Sequence, residues 1–324
     1  MSSLYHPEHD MDFEKPLLTH DRAEDMLCGK KLVFLVGSPR SGTTWLQLLL
    51  ARSPAIATVP ETQLFSQYMR SMVEQWNDDR VTGRPIGLTK LLGDEEFRGL
   101  LRSTSAFVFA KIAQSKSSAT VVLEKTPQHV GYWREILDLW PEAHFIHIIR
   151  DPRSVVASLR AASRSWASDW ASAGAWRNCE RWIVDVSSGR QIGSATLNYQ
   201  EVTYEELSVG GPDVVMRLLA GLGIPSSLDE CKRYIDECNI ENLKLLPAPE
   251  GFFRLGRTDS WQVELSAWEI ALVEHVAGPL MSELGFKPVN GSKAMAALVG
   301  MACTSKDAAR VVKRRLRNFL ERRR

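Results

Sequence analysis

Short runs of apolar, β-branched residues alternate along this chain with segments that have the composition of helices. The runs at 31–36, 120–123 and 144–149 are apolar at nearly every position rather than at every second one. Such runs are typical of strands buried on both faces of a parallel sheet. The pattern predicts an α/β fold class with three layers, in which a central, mostly parallel sheet is flanked by helices.

The positions of Gly/Pro-rich segments along the chain predict a simple domain organisation. Gly/Pro-rich segments at 82–87 and 208–212 predict loops, and there is no internal repeat. We expect one domain over residues 26–290, preceded by an acidic segment at 1–25 and followed by a basic amphipathic tail at 291–324.

The charge distribution limits the partners that the chain can have. The formal net charge of +1 argues against a dedicated nucleic-acid binder. The last nineteen residues nevertheless carry nine Lys or Arg against Asp307 and Glu321. Two interpretations of this tail stay open: a solvated terminal helix, or peripheral contact with an anionic membrane or acidic carrier, at about 1 kcal/mol per basic residue near the surface.

Targeting and cysteine patterns predict a cytoplasmic protein. The first 25 residues have no apolar stretch long enough for a signal peptide, and the longest apolar stretch elsewhere, 294–303, is too short to cross a bilayer. The five cysteines are odd in number and have no CxxC spacing. They indicate neither a zinc site nor a disulfide framework, which fits a reducing compartment.

A glycine-rich turn joins the first predicted strand to the first predicted helix. Residues 37–44 read GSPRSGTT, the glycine spacing of a P-loop, with Thr43 where a nucleotide triphosphatase has its lysine. Backbone N–H groups and the following helix terminus still form a cradle for phosphate. Without the lysine, the loop suits a less highly charged group and chemistry without a metal.

A longer stretch that includes this turn resembles a known protein family. PRSGTTW at 39–45 resembles the 5′-phosphosulfate-binding loop of sulfotransferases that use 3′-phosphoadenosine-5′-phosphosulfate (PAPS), in the bacterial, tyrosylprotein and heparan-like branch. The resemblance implies a P-loop-like fold, PAPS as co-substrate and no metal. It further implies that Arg40 touches the bridging oxygen and the 5′-phosphate, and that Trp45 packs on adenine.

A second anion site is expected where the 144–149 strand runs into a proline-started helix. Arg150 stands at the junction and Ser158 follows eight residues later, the spacing of the family's 3′-phosphate site. Tyr204, in a segment that resembles the family's adenine-contacting stretch, is a further candidate. The stretch 254–257 resembles the loop that closes over the 3′-phosphate.

Three side chains are candidates for the base that removes the acceptor's proton. Glu61 follows the 56–59 strand and matches a segment where relatives have a glutamate base, so we rank it first. His129 ranks second. Glu124 and Lys125 are neighbours on a strand and face opposite ways; Lys125 resembles a lysine beside the transferred group, which leaves Glu124 a supporting role.

The predicted function is transfer of the sulfuryl group of PAPS to a hydroxyl, with an amine as second choice, of a small-molecule, lipid or carbohydrate acceptor. Two alternatives stay open: a P-loop kinase or nucleotide hydrolase, and a non-catalytic nucleotide-fold protein with a membrane-binding tail. The predicted catalytic residues are Arg40, Glu61 and Lys125. The predicted PAPS-binding residues are Pro39, Arg40, Ser41, Gly42, Thr43, Thr44, Trp45, Arg150, Ser158, Tyr204, Arg254, Gly256 and Arg257.

Overall fold

The structure is a computed structural model that describes residues 20–253 and 257–289. The described chain divides into two compact units. The first contains the residues up to Arg150 and those from Val184 to 253, and the second contains Asp151–Ile183 and 257–289. The predicted tail at 291–324 and most of the predicted acidic segment lie outside the described residues.

The first unit is built on a five-stranded sheet whose order is β2-β3-β1-β4-β5. Every pairing in it is parallel. The α/β fold with a central parallel sheet flanked by helices is therefore confirmed. The strands are β1 Lys31–Gly37, β2 Ile56–Thr58, β3 Val121–Lys125, β4 His144–Ile149 and β5 Tyr199–Thr203.

Twelve α-helices occur among the described residues. In chain order they are α1 His20–Leu27, α2 Thr43–Leu50, α3 Arg70–Thr82, α4 Asp94–Gln114, α5 Trp133–Leu139, α6 Pro152–Ser163, α7 Gly174–Ala195, α8 Tyr204–Gly221, α9 Leu228–Glu237, α10 Ile240–Leu243, α11 Trp261–Glu264 and α12 Ala267–Glu283. A π-helical turn spans Leu64–Met69, and 3₁₀ turns span Leu88–Lys90 and Pro127–Gly131.

Alternation along the strands divides the core of the first unit into two layers. Phe34 of β1 and Phe145 of β4 face α1, α4 and α5, and their rings stack with centroids 5.5 Å apart. Val33 and Leu35 face the opposite layer, formed by α2, α8 and α9. Because both faces are covered, the strands carry apolar residues on both sides, which is why the sequence shows continuous apolar runs.

Three boundaries differ from the sequence-based predictions. The strand predicted at 120–123 continues to Lys125. The loop predicted at 208–212 is instead a kink inside α8, where Gly211 adopts φ 36° and ψ −107°. Helix resumes at once because Pro212 is tolerated where a first-turn N–H needs no partner. Helix α1 begins at His20, before the predicted boundary at residue 26, and buries Ala23 in the core.

Candidate active site

The anion loop, residues 38–42, connects β1 to α2 at the carboxyl end of the sheet. Arg40 and Gly42 both adopt left-handed backbone conformations, with φ of 74° and 96°. The N–H of Ser41 donates to the carbonyl of Ser38 over 3.1 Å, which tightens the turn. Helix α2 then starts at Thr43, and no side chain among the described residues caps its amino terminus. Its first N–H groups are therefore directed toward the loop.

Ser41 places a polar group inside this loop that the loop itself does not satisfy. Its hydroxyl oxygen is buried and has no hydrogen-bond partner within the described part of the chain. A buried hydroxyl without a partner is unfavourable by about 1–3 kcal/mol. A phosphate oxygen in the loop would accept its hydrogen bond.

Tyr204, the first residue of α8, packs beneath the loop. A Cβ atom on Gly42 would lie 2.5 Å from Cδ2 of the tyrosine ring, so the close approach depends on glycine. The ring centroid is 5.1 Å from that of Trp45, and the guanidinium carbon of Arg150 lies 4.1 Å from it. Arg150 also donates to the carbonyl of Arg40 over 3.3 Å. One buried tyrosine thus joins three predicted binding residues.

The side chain of Arg40 is held at the end of the described segment before residue 254. Its Nη2 donates to the carbonyl of Phe252 over 2.8 Å, and its guanidinium carbon lies 5.2 Å from the centre of the Phe252 ring. Predicted residues Arg254 and Gly256 follow directly and lie outside the described residues.

Glu61, Lys125 and Thr44 form a continuous row beside the loop. The Lys125 Nζ donates to Oε1 of Glu61 over 2.8 Å and to the Thr44 hydroxyl over 3.2 Å. Its side chain is 4% exposed, whereas that of Glu61 is 33% exposed. The row therefore has a buried cation at its centre, a helix-terminal hydroxyl at one end and an accessible carboxylate at the other.

The other two candidate bases are enclosed. His129 is fully buried: its Nε2 accepts the N–H of Phe65 over 3.1 Å, and its Nδ1 lies 2.8 Å from Oε2 of Glu124. An Nε2 that accepts an N–H carries no proton, so Nδ1 holds it and donates to Glu124. Both nitrogens form hydrogen bonds within the protein, so neither is available to take a proton from a bound substrate.

Glu124 is ionised despite its burial. Burial alone would raise the pKa of this carboxyl, but hydrogen bonds from His129, Thr126 and Thr62 bring the pKa below its ordinary value of 4.5. Glu124 lies on the side of β3 that faces α4, and Lys125 lies on the side that faces α2, as the strand alternation predicts.

The remaining predicted residues are placed as follows. Pro39 is buried in the loop, and Thr43 is buried at the start of α2. Ser158 lies on α6 in the second unit. Arg257, also in the second unit, is exposed and forms an ion pair with Asp259 at 3.1 Å.

Sequence reasoning missed two features. The buried Arg153 contacts Asp151 and Glu274, both at 2.6 Å, and so joins α6 to α12. Thr62 and Thr126 both donate hydrogen bonds to Oε1 of Glu124. The only available signal was that each threonine lies beside a candidate residue, and partners distant in sequence cannot be inferred from one chain.

A known protein family matches the part of the chain that contains the anion loop and the row of Glu61, Lys125 and Thr44. The model of the sulfotransferase family matches residues 33–229, more than half of the chain, from β1 into α9. The chain belongs to the sulfotransferase family. Within this match lie the anion loop, Glu61, Lys125, Arg150, Ser158 and Tyr204.

Two curated relatives illustrate the breadth of the similarity. Nodulation protein NoeE of Sinorhizobium fredii is 27% identical over 292 residues, covering 79% of this chain and 66% of that protein. The protein-tyrosine sulfotransferase of Drosophila melanogaster is 24% identical over 201 residues, covering 60% of this chain and 38% of that protein. The chain thus spans just under two thirds of the first relative's length and well under half of the second's.

Solved structures support the fold. The sulfotransferase domain of the Synechococcus PCC 7002 olefin synthase matches with a TM-score of 0.51 at 17% identity, covering 80% of this chain and 96% of that domain. The sulfotransferase domain from the curacin biosynthetic pathway matches with a TM-score of 0.52 at 16% identity, covering 80% and 99%.

The described residues contain neither a membrane-spanning helix nor a metal-binding cluster. Between residues 20 and 289, leaving out 254–256, no helix combines the length and hydrophobicity needed to cross a bilayer. The same residues contain no cluster of His, Cys, Asp or Glu arranged to hold a metal ion. The four cysteines in this part of the chain are free thiols.

We predict that Gly42→Ala destabilises the protein more than Gly29→Ala does. Both glycines have positive φ, at 96° and 70°, so each alanine carries backbone strain of about 1–2 kcal/mol. A Cβ at Gly29 meets nothing within 4 Å, whereas one at Gly42 collides with Tyr204. Urea unfolding measures the free energy of both variants. Equal losses would contradict the proposed close packing of Tyr204 against the loop.

We also predict that Glu124 makes the unfolding free energy depend on acid pH. Its pKa in the folded protein lies below the ordinary 4.5 because the carboxylate accepts hydrogen bonds from His129, Thr126 and Thr62. Its stabilising contribution is therefore complete above about pH 4.5 and is lost as the pH falls through the pKa of the folded protein. The difference in unfolding free energy between the wild type and Glu124→Gln should narrow over this interval. A difference that stays constant from pH 6 to pH 2 would refute the lowered pKa.

Proposed function

We propose that this chain transfers the sulfuryl group of PAPS to the hydroxyl of an acceptor, with Glu61 as the general base. The observation that carries the proposal is the row of Glu61, Lys125 and Thr44 beside the anion loop. A base, a cation and an anion cradle are the parts that sulfuryl transfer to an alcohol requires.

The anion loop fits the 5′-phosphosulfate end of the donor. The buried Ser41 hydroxyl, the uncapped N–H groups of α2 and the Thr44 hydroxyl all offer donors at one place. Arg40 lies on this loop with its backbone in the left-handed region. We propose that Arg40 and Lys125 stabilise the negative charge that develops on the bridging oxygen and on the transferred group.

The proposed step transfers one proton and exchanges one bond to sulfur for another. Glu61 takes the proton of the acceptor hydroxyl, and the acceptor oxygen forms a bond to sulfur. The bond between sulfur and the 5′-phosphate oxygen breaks, and its electron pair stays on the phosphate of 3′,5′-adenosine bisphosphate (PAP), the leaving product. The loop N–H groups and Arg40 hold that phosphate. Glu61 later releases its proton to solvent.

The far end of the donor is assigned from the family resemblance. Arg150 and Ser158 keep the proposed 3′-phosphate role, and Arg254, Gly256 and Arg257 keep that of a closing loop. Trp45 and Tyr204 keep the proposed adenine role. The contact of Tyr204 with Trp45 and Arg150 supports an indirect contribution, in which the buried ring orients both side chains.

A hydroxyl acceptor is favoured over an amine. A carboxylate removes a proton from an alcohol as the bond to sulfur forms, whereas an amine at neutral pH is already protonated and must lose that proton before it can attack. The acceptor is proposed to be a small molecule, lipid or carbohydrate. A cytoplasmic location completes the proposal, and for the tail both interpretations, a solvated helix and peripheral membrane contact, stay open.

The deciding experiment incubates the full chain with PAPS labelled in the sulfuryl group and cell extracts as acceptors. We expect labelled product that is unaffected by EDTA, because Arg40 and Lys125 supply the positive charge. Transfer that is abolished by EDTA, or turnover of ATP but not of PAPS, would instead identify a kinase or nucleotide hydrolase. Tight binding of PAP with no transfer to any extract would identify a non-catalytic protein.

We predict that Glu61→Gln lowers kcat by about 10²-fold or more, in the range of 10²–10⁴ that general-base catalysis contributes. The affinity for PAP, measured by calorimetry, should change little because Glu61 lies outside the loop. Glu95→Gln, on the first turn of α4, removes an equal charge from the surface and should leave kcat unchanged. Normal turnover by Glu61→Gln would disprove the assignment of the base.

A further inference from the structure

A buried hydrogen-bond cluster lies directly behind the segment that carries Glu61. Its members, Glu124, Thr126 and His129, come from the end of β3 and the 3₁₀ turn that follows. All three have at most 2% of their surface exposed. The cluster faces the backbone of residues 62–65, which joins Glu61 to the π-helical turn starting at Leu64.

Three consecutive backbone N–H groups of this segment reach the carboxylate of Glu124, each through one intermediate. The N–H of Gln63 donates to the Thr126 hydroxyl over 3.2 Å, and that hydroxyl donates to Glu124 over 2.7 Å. The N–H of Leu64 donates to the Thr62 hydroxyl, which also donates to Glu124, over 3.2 and 2.7 Å.

The third connection passes through His129. The N–H of Phe65 donates to its Nε2, and its Nδ1 donates to the other carboxylate oxygen of Glu124, over 3.1 and 2.8 Å. The first N–H groups of a helix have no partner within it and must find one elsewhere. Here a single ionised carboxylate orients the acceptors for all three.

The segment held in this way contains an unusual backbone conformation. Gln63 adopts φ 55°, a conformation that residues other than glycine rarely take. From this position its side-chain amide donates to Oε2 of Glu61 over 2.8 Å, while Lys125 donates to Oε1. The orientation of the Glu61 carboxylate therefore depends on a backbone that Glu124 secures from behind.

Resting on the function proposed above, we infer that Glu124 is a positioning residue for the base. Glu124, acting through Thr126, Thr62 and His129, fixes the backbone of residues 62–65 and so aligns Glu61 with Lys125 and the acceptor. Loss of one connection shifts the carboxylate, and small displacements of a reacting group lower rates steeply, by about 10²-fold for 1 Å.

Thr126→Val and Thr126→Ser form the matched pair that tests this inference. Valine keeps the shape of threonine but removes the acceptor for the N–H of Gln63, whereas serine keeps the hydroxyl. We expect Thr126→Val to lower kcat by about 10- to 100-fold and Thr126→Ser to restore most of it. The affinity for PAP should be equal in both, and circular dichroism should show that both are folded.

A double-mutant cycle separates positioning from general destabilisation. If Thr126 acts through Glu61, Thr126→Val should cause no further loss of kcat in a Glu61→Gln background. The same fold loss in both backgrounds would overturn the inference, as would wild-type kcat in Thr126→Val.

Crystal structures of the two Thr126 variants make the test independent of the proposed function. Absence of both PAP binding and turnover in the wild type would refute that function, but the separation of the Glu61 carboxylate from Lys125 Nζ could still be measured. We expect it to lengthen from 2.8 Å in the valine variant and to stay the same in the serine variant. An unchanged separation in the valine variant would refute the positioning role.

Discussion

The burial of the Lys125 ammonium group is the constraint around which the site is arranged. An ammonium group removed from water is strongly destabilising unless it is paired and hydrogen-bonded. Lys125 meets this condition by contacting Glu61 on one side and Thr44 on the other. Because these partners come from different segments, the pairing brings together the ends of β1, β2 and β3, and the cation lies where negative charge is expected to arrive.

The parallel sheet makes this meeting geometrically simple. Strands β2, β3 and β1 are neighbours and run in the same direction, so their carboxyl ends lie at one edge. Ligands of open α/β sheets bind outside such an edge. The loop after β1 contributes backbone donors, the segment after β2 contributes a carboxylate, and the last residue of β3 contributes the cation. No single segment carries the proposed chemistry.

The sequence predicted the fold class and four of the five strands described, because strands that are buried on both faces leave a clear apolar signal. It missed β5, whose residues YQEVT are mostly polar and only partly buried at the edge of the sheet. It predicted a break at 208–212 because Gly211 and Pro212 resemble loop residues, whereas local kinking allows α8 to continue.

For the site, the sequence indicated the anion loop, Glu61 and Lys125, and strand alternation correctly placed Glu124 on the opposite face from Lys125. What it could not indicate was the enclosure of His129. That enclosure depends on the N–H of Phe65, which is 64 residues away in sequence. The chemical character of a side chain can be inferred from the sequence around it. Whether that side chain is free to act as a base depends on hydrogen-bond partners that only the folded chain brings together.

The adjacency of Glu124 and Lys125 has a consequence for which changes of length this chain can tolerate. Opposite charges at successive strand positions are directed to opposite layers, so a deletion or insertion of one residue within β3 would exchange them. The negative group would then face the layer that contains α2, and the positive group would face the apolar layer that contains Phe34. The number of residues in this strand is consequently less free to drift than the identity of its aliphatic members.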